Sequence, residues 1–530
     1  MRIHLLPVLL LLCGVAAAQN PVISLRPSDL VLGRDAVYRR GIYTVTVPKH
    51  PNPPNGTRGV VLKLDPKKVA GKAIRYRAEM RWRGIGSDTS GSHIGGKILG
   101  THHNTAGVGS WTASPSLLGT EQEWQEVSYF CQYPRALKSA SITFGIQQGW
   151  GVLEFRNPTM EILPATKPFP VPADFVCEYS PAVKELAGRR GVMSPIPEKI
   201  TVQDIHDLGG WGANLLRYQI VGGLRNNGRD IAEYEKWIDR ALDKLDTLMP
   251  ALREHDIRVI IDMHFPPGGR YSRGGVLGTA GAEAADAFGN KARFLMMEEP
   301  EYRQAFLDTW KRIAARYKDN PVIYGYDLVN EPDQRGPAKF DYWTLQFDAA
   351  KAIRAIDPET PVIVESNNWC SPLSYDEFSP MPLKNIIYQI HMYHPGPYTH
   401  QGVGDKSYIA EYPRRVLPLT TSKEDLRRTL QPAIDFQKKY KARMFVGEFS
   451  VTAWAPGAAE YLRRLIELFE ENNWDWTYHA FREWEGWSVE HAGAPGKLRP
   501  SADNDRKRVL LEYFRRNQKG NEEGRRWYDK

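Results

Sequence analysis

Two glutamates stand out as the residues able to do chemistry. Glu331 and Glu448 each follow a nearly continuous apolar run, Val322 to Val329 and Arg443 to Gly447. Each carboxyl group is therefore expected in a partly desolvated cleft, where an ionised carboxylate must be paired or its proton affinity must shift. Other short apolar runs also end in polar or aromatic residues: Arg217, His264, Asn330 beside Glu331, Asn367 with Trp369, His391 with Tyr393, and Glu483 with Trp484. Any one of these is more often an ordinary hydrogen-bonded side chain than a catalytic one. Their recurrence at the end of run after run is what points to a site. Two carboxyl groups facing each other suit hydrolysis of a glycosidic bond, at about 5–5.5 Å for retention and roughly 6.5–9.5 Å for inversion. Sequence does not measure that gap, and structural salt bridges to Arg217 are the competing reading.

The elements that must position these residues are strands alternating with helices. From Ile231 to about His255, the apolar residues Tyr234, Trp237, Ile238, Ala241, Leu242, Leu245, Leu248 and Leu252 fall on one helical stripe. Short apolar runs predict strands at Ala213–Tyr218, Arg258–Met263, Val322–Val329, Pro361–Glu365, Ile386–Ile390, Arg443–Gly447 and Trp474–Ala480, with a weaker first strand at Phe175–Tyr179. Such β/α units fit an α/β fold, a (β/α)8 TIM barrel, in which chemistry sits at the C-terminal ends of the strands. An open doubly wound sheet uses the same elements, but no Gly-rich phosphate loop opens the first helix.

Before the barrel, from residue 19 to 163, short alternating segments such as Val60–Leu64, Ile74–Met80, Ile142–Ile146 and Val152–Ile162 indicate an all-β sandwich or jelly roll. Residues 164–174, rich in proline, form neither helix nor central strand and read as a linker; the barrel is assigned to 175–515 and a polar tail to 516–530. Residues 1–18 read as a signal peptide, with Arg2 and His4 ahead of an apolar run and Ala16-Ala17-Ala18 before Gln19. That run is too short to span a bilayer, and a secreted or periplasmic, monomeric product without membrane attachment is expected. Beyond the leader, Cys131, Cys177 and Cys370 are odd in number and widely spaced, so they form no disulfide scaffold and no CxxC metal site. The net charge of +8 comes from 70 basic and 62 acidic residues that are interspersed, which argues against a nucleic-acid partner.

Asn330-Glu331-Pro332, Gly447-Glu448-Phe449, and the ordered set Arg217, Asp262-Met263-His264, His391-Met392-Tyr393 and Trp484 resemble glycoside hydrolase family 5, the cellulase-like barrel glycosidases. The resemblance covers about residues 175 to 515. It implies that Glu331, after the fourth strand, is the acid/base with a raised pKa, and that Glu448, ending the seventh, is the nucleophile with a pKa kept low by Arg217. Asn330 would bind the sugar 2-hydroxyl, His264 and His391 would bind substrate or support the carboxylates, and Tyr393 would lie beneath the nucleophile. Trp484 would floor the subsite where the sugar distorts; Asn367 and Trp369 are further candidates for substrate contact. Cofactor and metal are not implied, and the partner would be a β-linked polysaccharide or oligosaccharide, with β-1,4-glucan first and mannan next. Phe265–Met297, long and rich in Gly and Ala, would form a wall or lid that favours exo-action. The sandwich resembles jelly-roll carbohydrate-binding modules, with Trp124 in the core and Trp82, Trp111 and Trp150 as candidate platforms. Two rival readings are a metal-dependent hydrolase using Asp262, His264, His391 and His394, and a non-catalytic sugar-binding barrel.

Overall fold

The computed structural model describes residues 22–49, 56–88, 94–105, 109–163, 171–186, 188–221, 230–271, 295–334, 338–403 and 422–518. The leader-like residues, most of the proline-rich join, residues 272–294 of the expected wall, and the chain after 518 lie outside that description. No helix among the described residues is long and apolar enough to cross a membrane.

Eight parallel strands close into a barrel in chain order: Arg190–Met193, Leu215–Gln219, Arg258–Asp262, Ile323–Asp327, Val362–Glu365, Ile386–Met392, Arg443–Phe449 and Asp475–Tyr478. Helices Val202–Trp211, Ile231–Glu254, Pro300–Tyr317, Tyr342–Arg354, Lys423–Tyr440 and Ala458–Glu471 alternate with them on the outside. The stripe read from Ile231 onward is buried in full, including Trp237, Ile238, Leu245 and Leu252.

The first strand corrects the sequence reading. Phe175–Tyr179 is not a strand. It runs across the N-terminal end of the barrel, where the Cys177 amide donates to the Tyr440 carbonyl at 2.9 Å and the Tyr179 hydroxyl donates to the Ile386 carbonyl at 2.8 Å. The first strand is Arg190–Met193, whose few residues pair with Leu215–Arg217 on one side and Trp476–Tyr478 on the other. Its Arg-Gly-Val-Met sequence is too short and too little apolar to announce a buried strand.

Inward-pointing positions alternate along each strand, so they can be followed upward. Leu215, Ile260, Tyr324, Ile363, Ile387 and Phe445 form one buried layer inside the barrel. Two positions further along the chain come Arg217, Asp262, Glu365 and Gln389, all fully buried. The next step reaches His391. The interior is thus apolar below and polar above, and the change comes one layer under the cleft. On two strands the register slips: the ladder skips Tyr324 between Val259–Ile323 and Ile260–Gly325, and skips Gly447 between Ile390–Val446 and His391–Glu448. Each slip is a β-bulge, which turns the following side chains to the other face. Through them Asp327 and Glu448 point inward, where strict alternation from Tyr324 and Phe445 would have pointed them out.

The N-terminal region holds two antiparallel sheets. One has the order Ala36–Arg39, Ile42–Val47, Trp150–Leu163, Ala73–Gly86, Gly119–Gln132, with Val22–Ser24 added to Trp150–Leu163; the other has the order Leu30–Leu32, Thr57–Leu64, Leu137–Gln147, Gly95–Asn104, Gly109–Ala113. Val45, Val60, Ile74, Tyr76, Ile98, Ile142, Phe144 and Phe155 fill the space between them. Trp124 is not in that core. Its ring lies under the guanidinium groups of Arg81 and Arg156, at 4.6 and 4.3 Å, because its position on Gly119–Gln132 faces outward with the charged residues. The Trp82 indole donates to the Leu118 carbonyl at 3.0 Å, and Lys49 covers the Trp150 ring at 4.6 Å, so both rings have partners within the chain.

Candidate active site

Arg217 organises the floor of the cleft. Fully buried, it donates from Nε to Asp327 Oδ2 at 2.8 Å, from Nη1 to Glu448 Oε1 at 2.8 Å, and from Nη2 to Asn330 Oδ1 at 2.9 Å and Glu365 Oε1 at 3.2 Å. Asp262 Oδ1 lies 3.1 Å from Nη2. One guanidinium cannot neutralise four buried carboxyl groups, and burial decides which of them keep their protons. It pushes Asp262 up to about 7, Asp327 to about 6 and Glu365 well above the usual carboxylate range, against the attraction of Arg217. Glu448 goes the other way. Burial opposes its charge, but His391, His479 and Arg217 outweigh that and hold its carboxyl well below the usual range. Of the four, Glu448 is therefore the carboxyl that ionises first.

Its second oxygen is equally well held. Tyr393 donates from its hydroxyl to Glu448 Oε2 at 2.9 Å, and His479 Nδ1 is 3.2 Å from the same oxygen. His391 Nδ1 stands 3.0 Å from Glu331 Oε1 and 3.7 Å from Glu448 Oε2. An oxygen of Glu331, that imidazole nitrogen and an oxygen of Glu448 lie within 4.8 Å of one another. This is on the short side of the two-carboxylate range, near retention at about 5–5.5 Å and well under the roughly 6.5–9.5 Å that admits a water between the groups.

Glu331 departs from expectation. Burial raises its pKa, but the hydrogen bond with His391 and the charge of Arg270 more than offset it, and the carboxyl is held below its ordinary value. Arg270 Nη2 is 3.3 Å from Glu331 Oε2, and its Nη1 donates to the Asn330 carbonyl at 3.0 Å. Sequence reasoning missed Arg270 because it sits in a Gly-rich stretch without periodicity. The Glu331 backbone is left-handed, with φ of 50°, and its amide donates to Glu365 Oε2 at 2.6 Å. A non-glycine residue in that region costs on the order of 1–3 kcal/mol and persists where its surroundings fix it; Glu365 does so here.

His264 Nδ1 pairs with Asp262 Oδ2 at 2.9 Å and its Nε2 faces Asn330 Nδ2 at 3.1 Å. Burial drops its pKa to about 3, so it is neutral, carries its proton on Nδ1 and accepts from the amide. Both ends of Asn330 are then fixed, and one amide N–H is left for a ligand. Asp262 is shared between Arg217 and His264, and His391 pairs with Glu331, so a cation at Asp262 would have to sit beside the Arg217 charge.

Asn367 does not face the carboxylates: its amide donates to the Gln334 carbonyl and accepts from the Gln334 amide, both at 2.7 Å, so it splices two loops. Trp369 packs on Tyr271 with ring centres 5.2 Å apart, beside Arg270. Trp484 is 38% exposed and edge-on to Trp487 at 5.1 Å and Trp454 at 6.1 Å. The residue beside Glu448 at the end of the eighth strand is instead His479, 4.9 Å from the Trp487 ring. Among the described residues, Cys131, Cys177 and Cys370 are buried and form no disulfide.

A closed parallel barrel that gathers two carboxylates at the C-terminal ends of its strands, one of them held ionised by the histidines and the arginine around it, is the framework of a glycoside hydrolase. Residues 183–484 match the family model for cellulase (glycosyl hydrolase family 5), and the chain belongs to that family. Its substrate class is accordingly a β-glycan. Among curated proteins it is similar to endoglucanase C of Acetivibrio thermocellus, 24% identical over 299 residues, which cover 51% of this chain and 81% of the relative. It is also similar to cellodextrinase A of Ruminococcus flavefaciens, 25% identical over 254 residues, covering 47% of this chain and 68% of the relative. Among solved structures, the endoglucanase Cel5A of Thermotoga maritima aligns at a TM-score of 0.46 with 21% identity, covering 62% of this chain and 98% of that one.

Proposed function

We propose that the chain cleaves a β-1,4-linked glucan by double displacement, with Glu331 as acid/base and Glu448 as nucleophile. The observation that carries this reading is the pair of carboxyl groups with oxygens within 4.8 Å, of which Glu448 is the one held charged. In the first step a protonated Glu331 gives its proton to the glycosidic oxygen as the bond from that oxygen to the anomeric carbon breaks, and Glu448 attacks the carbon from the opposite face. The leaving chain departs with the proton, and the sugar remains as an ester of Glu448. Water then attacks the anomeric carbon, loses its proton to Glu331 and frees Glu448. The remaining Asn330 N–H is placed to hold the sugar 2-hydroxyl.

The electrostatics support the base role of Glu331 in the second step. Charge on Glu448 raises the pKa of Glu331. Once Glu448 is an ester that influence vanishes, His391 and Arg270 dominate, and Glu331 is left as the carboxylate that a general base must be. A polymeric substrate is met outside the cell, which fits the leader-like residues 1–18.

The test is a panel of soluble β-glucans, mannan and xyloglucan with product sizing on the wild type, Glu331→Gln and Glu448→Gln. We expect β-1,4-glucan to be cut most readily. Glu331→Gln should lose about 10²–10⁴-fold in rate, the worth of a general acid, and Glu448→Gln should abolish hydrolysis while sugar affinity survives. Hydrolysis that persists in Glu448→Gln refutes the assignment.

A further inference from the structure

At the end of the eighth strand His479 and Glu483 make a second arrangement that neither the motif residues nor the catalytic reading uses. Asp475, Thr477 and His479 follow the inward positions of this strand, and the His479 amide extends the ladder by donating to the Phe449 carbonyl at 3.1 Å. The ring is thereby inserted between two carboxylates from different elements. Nδ1 lies 3.2 Å from Glu448 Oε2 and in close contact with the Tyr393 hydroxyl; Nε2 lies 2.8 Å from Glu483 Oε2. His479 is 8% exposed.

Resting on the assignment of Glu448 as nucleophile, we propose that His479 and Glu483 form a positioning dyad that keeps Glu448 ionised and orients the Tyr393 hydroxyl toward it. The hydrogen-bond inventory leaves little choice. Tyr393 gives its only proton to Glu448 Oε2, so its oxygen is an acceptor toward its other neighbour, and that neighbour is His479 Nδ1. Glu483 is an acceptor at Nε2. With protons on both ring nitrogens, the contacts read as one chain in which His479 donates to Glu483 and to Tyr393, and Tyr393 donates to Glu448. A neutral imidazole would leave one of these carboxylate or hydroxyl lone pairs facing another. Consistent with this, burial disfavours the charged ring, but Glu448 and Glu483 reverse that and raise His479 to about 10.

The groups facing the ring come from several elements. Glu448 reaches it from the seventh strand and Tyr393 from the end of the sixth, where His391 also adjoins Glu448. His400, from the loop beyond, packs its ring 5.0 Å from Tyr393, and burial lowers it to about 4, so it stays neutral. Glu483 itself is held by a hydrogen bond from Gln219. The cation nearest Glu448 Oε2 is thus supplied by the dyad, while Arg217 serves Oε1. His479 acts through Tyr393 and Glu448 and is a positioning residue.

The experiment compares the pH dependence of kcat/KM for the wild type, His479→Gln and Glu483→Gln, each checked for folding by thermal unfolding, alongside Glu448→Gly assayed with and without azide. Loss of a cation beside a carboxylate raises that carboxylate's pKa, so the acid limb should move to higher pH by about one unit, a tenfold change in ionisation, in both dyad variants. Glu483 has a side chain 30% exposed, so Glu483→Gln gives a folded test even where His479→Gln does not. A purely structural role would lower the rate without moving the limb. Azide rescue of Glu448→Gly together with an unmoved limb in folded Glu483→Gln or His479→Gln overturns the dyad and leaves the nucleophile standing. Absence of azide rescue overturns both.

Discussion

At the scale of residues, the site is a problem of charge allocation. Arg217 has four buried acidic neighbours and only enough charge for one, and the neighbours of Glu448 decide that it is the one. Lysine at position 217 would carry the same charge without the fork that reaches Asp327, Glu448, Asn330 and Glu365 together. Arg217→Lys should therefore lose about 3–5 kcal/mol of stability, the cost of breaking a buried ion pair, and lose activity with it; equilibrium unfolding in urea measures the first. A loss under 1 kcal/mol would mean that the carboxylates hold the cluster together without the fork. The two glutamates, Asn330, His264, His391 and Tyr393 were legible in the sequence because each follows an apolar run, and Arg217 because it stands near the end of one. Asp327 was not, since it lies inside one. His479 was hidden because Trp474–Ala480 reads as a single run; stepping by two from Asp475 would have found it. Arg270 had no such signal.

At the scale of elements, the placement of Glu448 depends on a bulge whose extra residue is Gly447. A methyl group there would lie 2.5 Å from Gln389 Cδ, and Gln389 touches both Glu365 and His391. The neighbour is a side chain and not backbone, so the barrel can yield at modest cost while the polar layer shifts. Gly447→Ala is expected to cost on the order of 1–3 kcal/mol, as overpacking does, yet to reduce kcat by at least tenfold. Rates and unfolding midpoints measured together would separate these effects, and a variant that loses stability with kcat intact would refute the role of the bulge. Strand positions were read well wherever a short apolar run marked them, as at Ile386–Ile390, which the observed strand Ile386–Met392 extends by two residues. The first strand was misread because Phe175–Tyr179 is an apolar stretch of which Cys177 and Tyr179 are buried under the barrel, while Arg190–Met193 offers only four residues. Bulges leave no mark in hydrophobic periodicity beyond a glycine, so the inward turn of Glu448 was not legible.

At the scale of the whole molecule, the sandwich touches the barrel where Gln132 Nε2 donates to Glu377 Oε2 at 2.9 Å, next to the short helix Pro372–Asp376. Burial raises Glu377 to about 7, against Arg135 and Gln132, which favour the charge. A carboxyl whose pKa is raised on folding contributes stability below its unfolded value, near 4.5, and loses it as pH rises toward the folded value. The contact should therefore weaken between about pH 4.5 and 7. Calorimetry across that range should show the unfolding of the two regions drawing apart as pH rises, and Glu377→Gln should remove the trend; a separation independent of pH in the wild type would contradict it. The two-layer β region was legible from alternation. Its packing against the barrel was not, because a glutamine and a glutamate far apart in sequence carry no shared pattern.

Double displacement requires that a sugar become covalently bound to Glu448 during turnover. Incubation with an activated 2-fluoro β-cellobioside, which slows breakdown of the ester, followed by mass spectrometry of the intact protein and its peptides, addresses it directly. The predicted result is one added glycosyl unit located on Glu448 and absent from Glu448→Gln. A label on another residue, or hydrolysis that yields the inverted anomer with no adduct, would contradict the account.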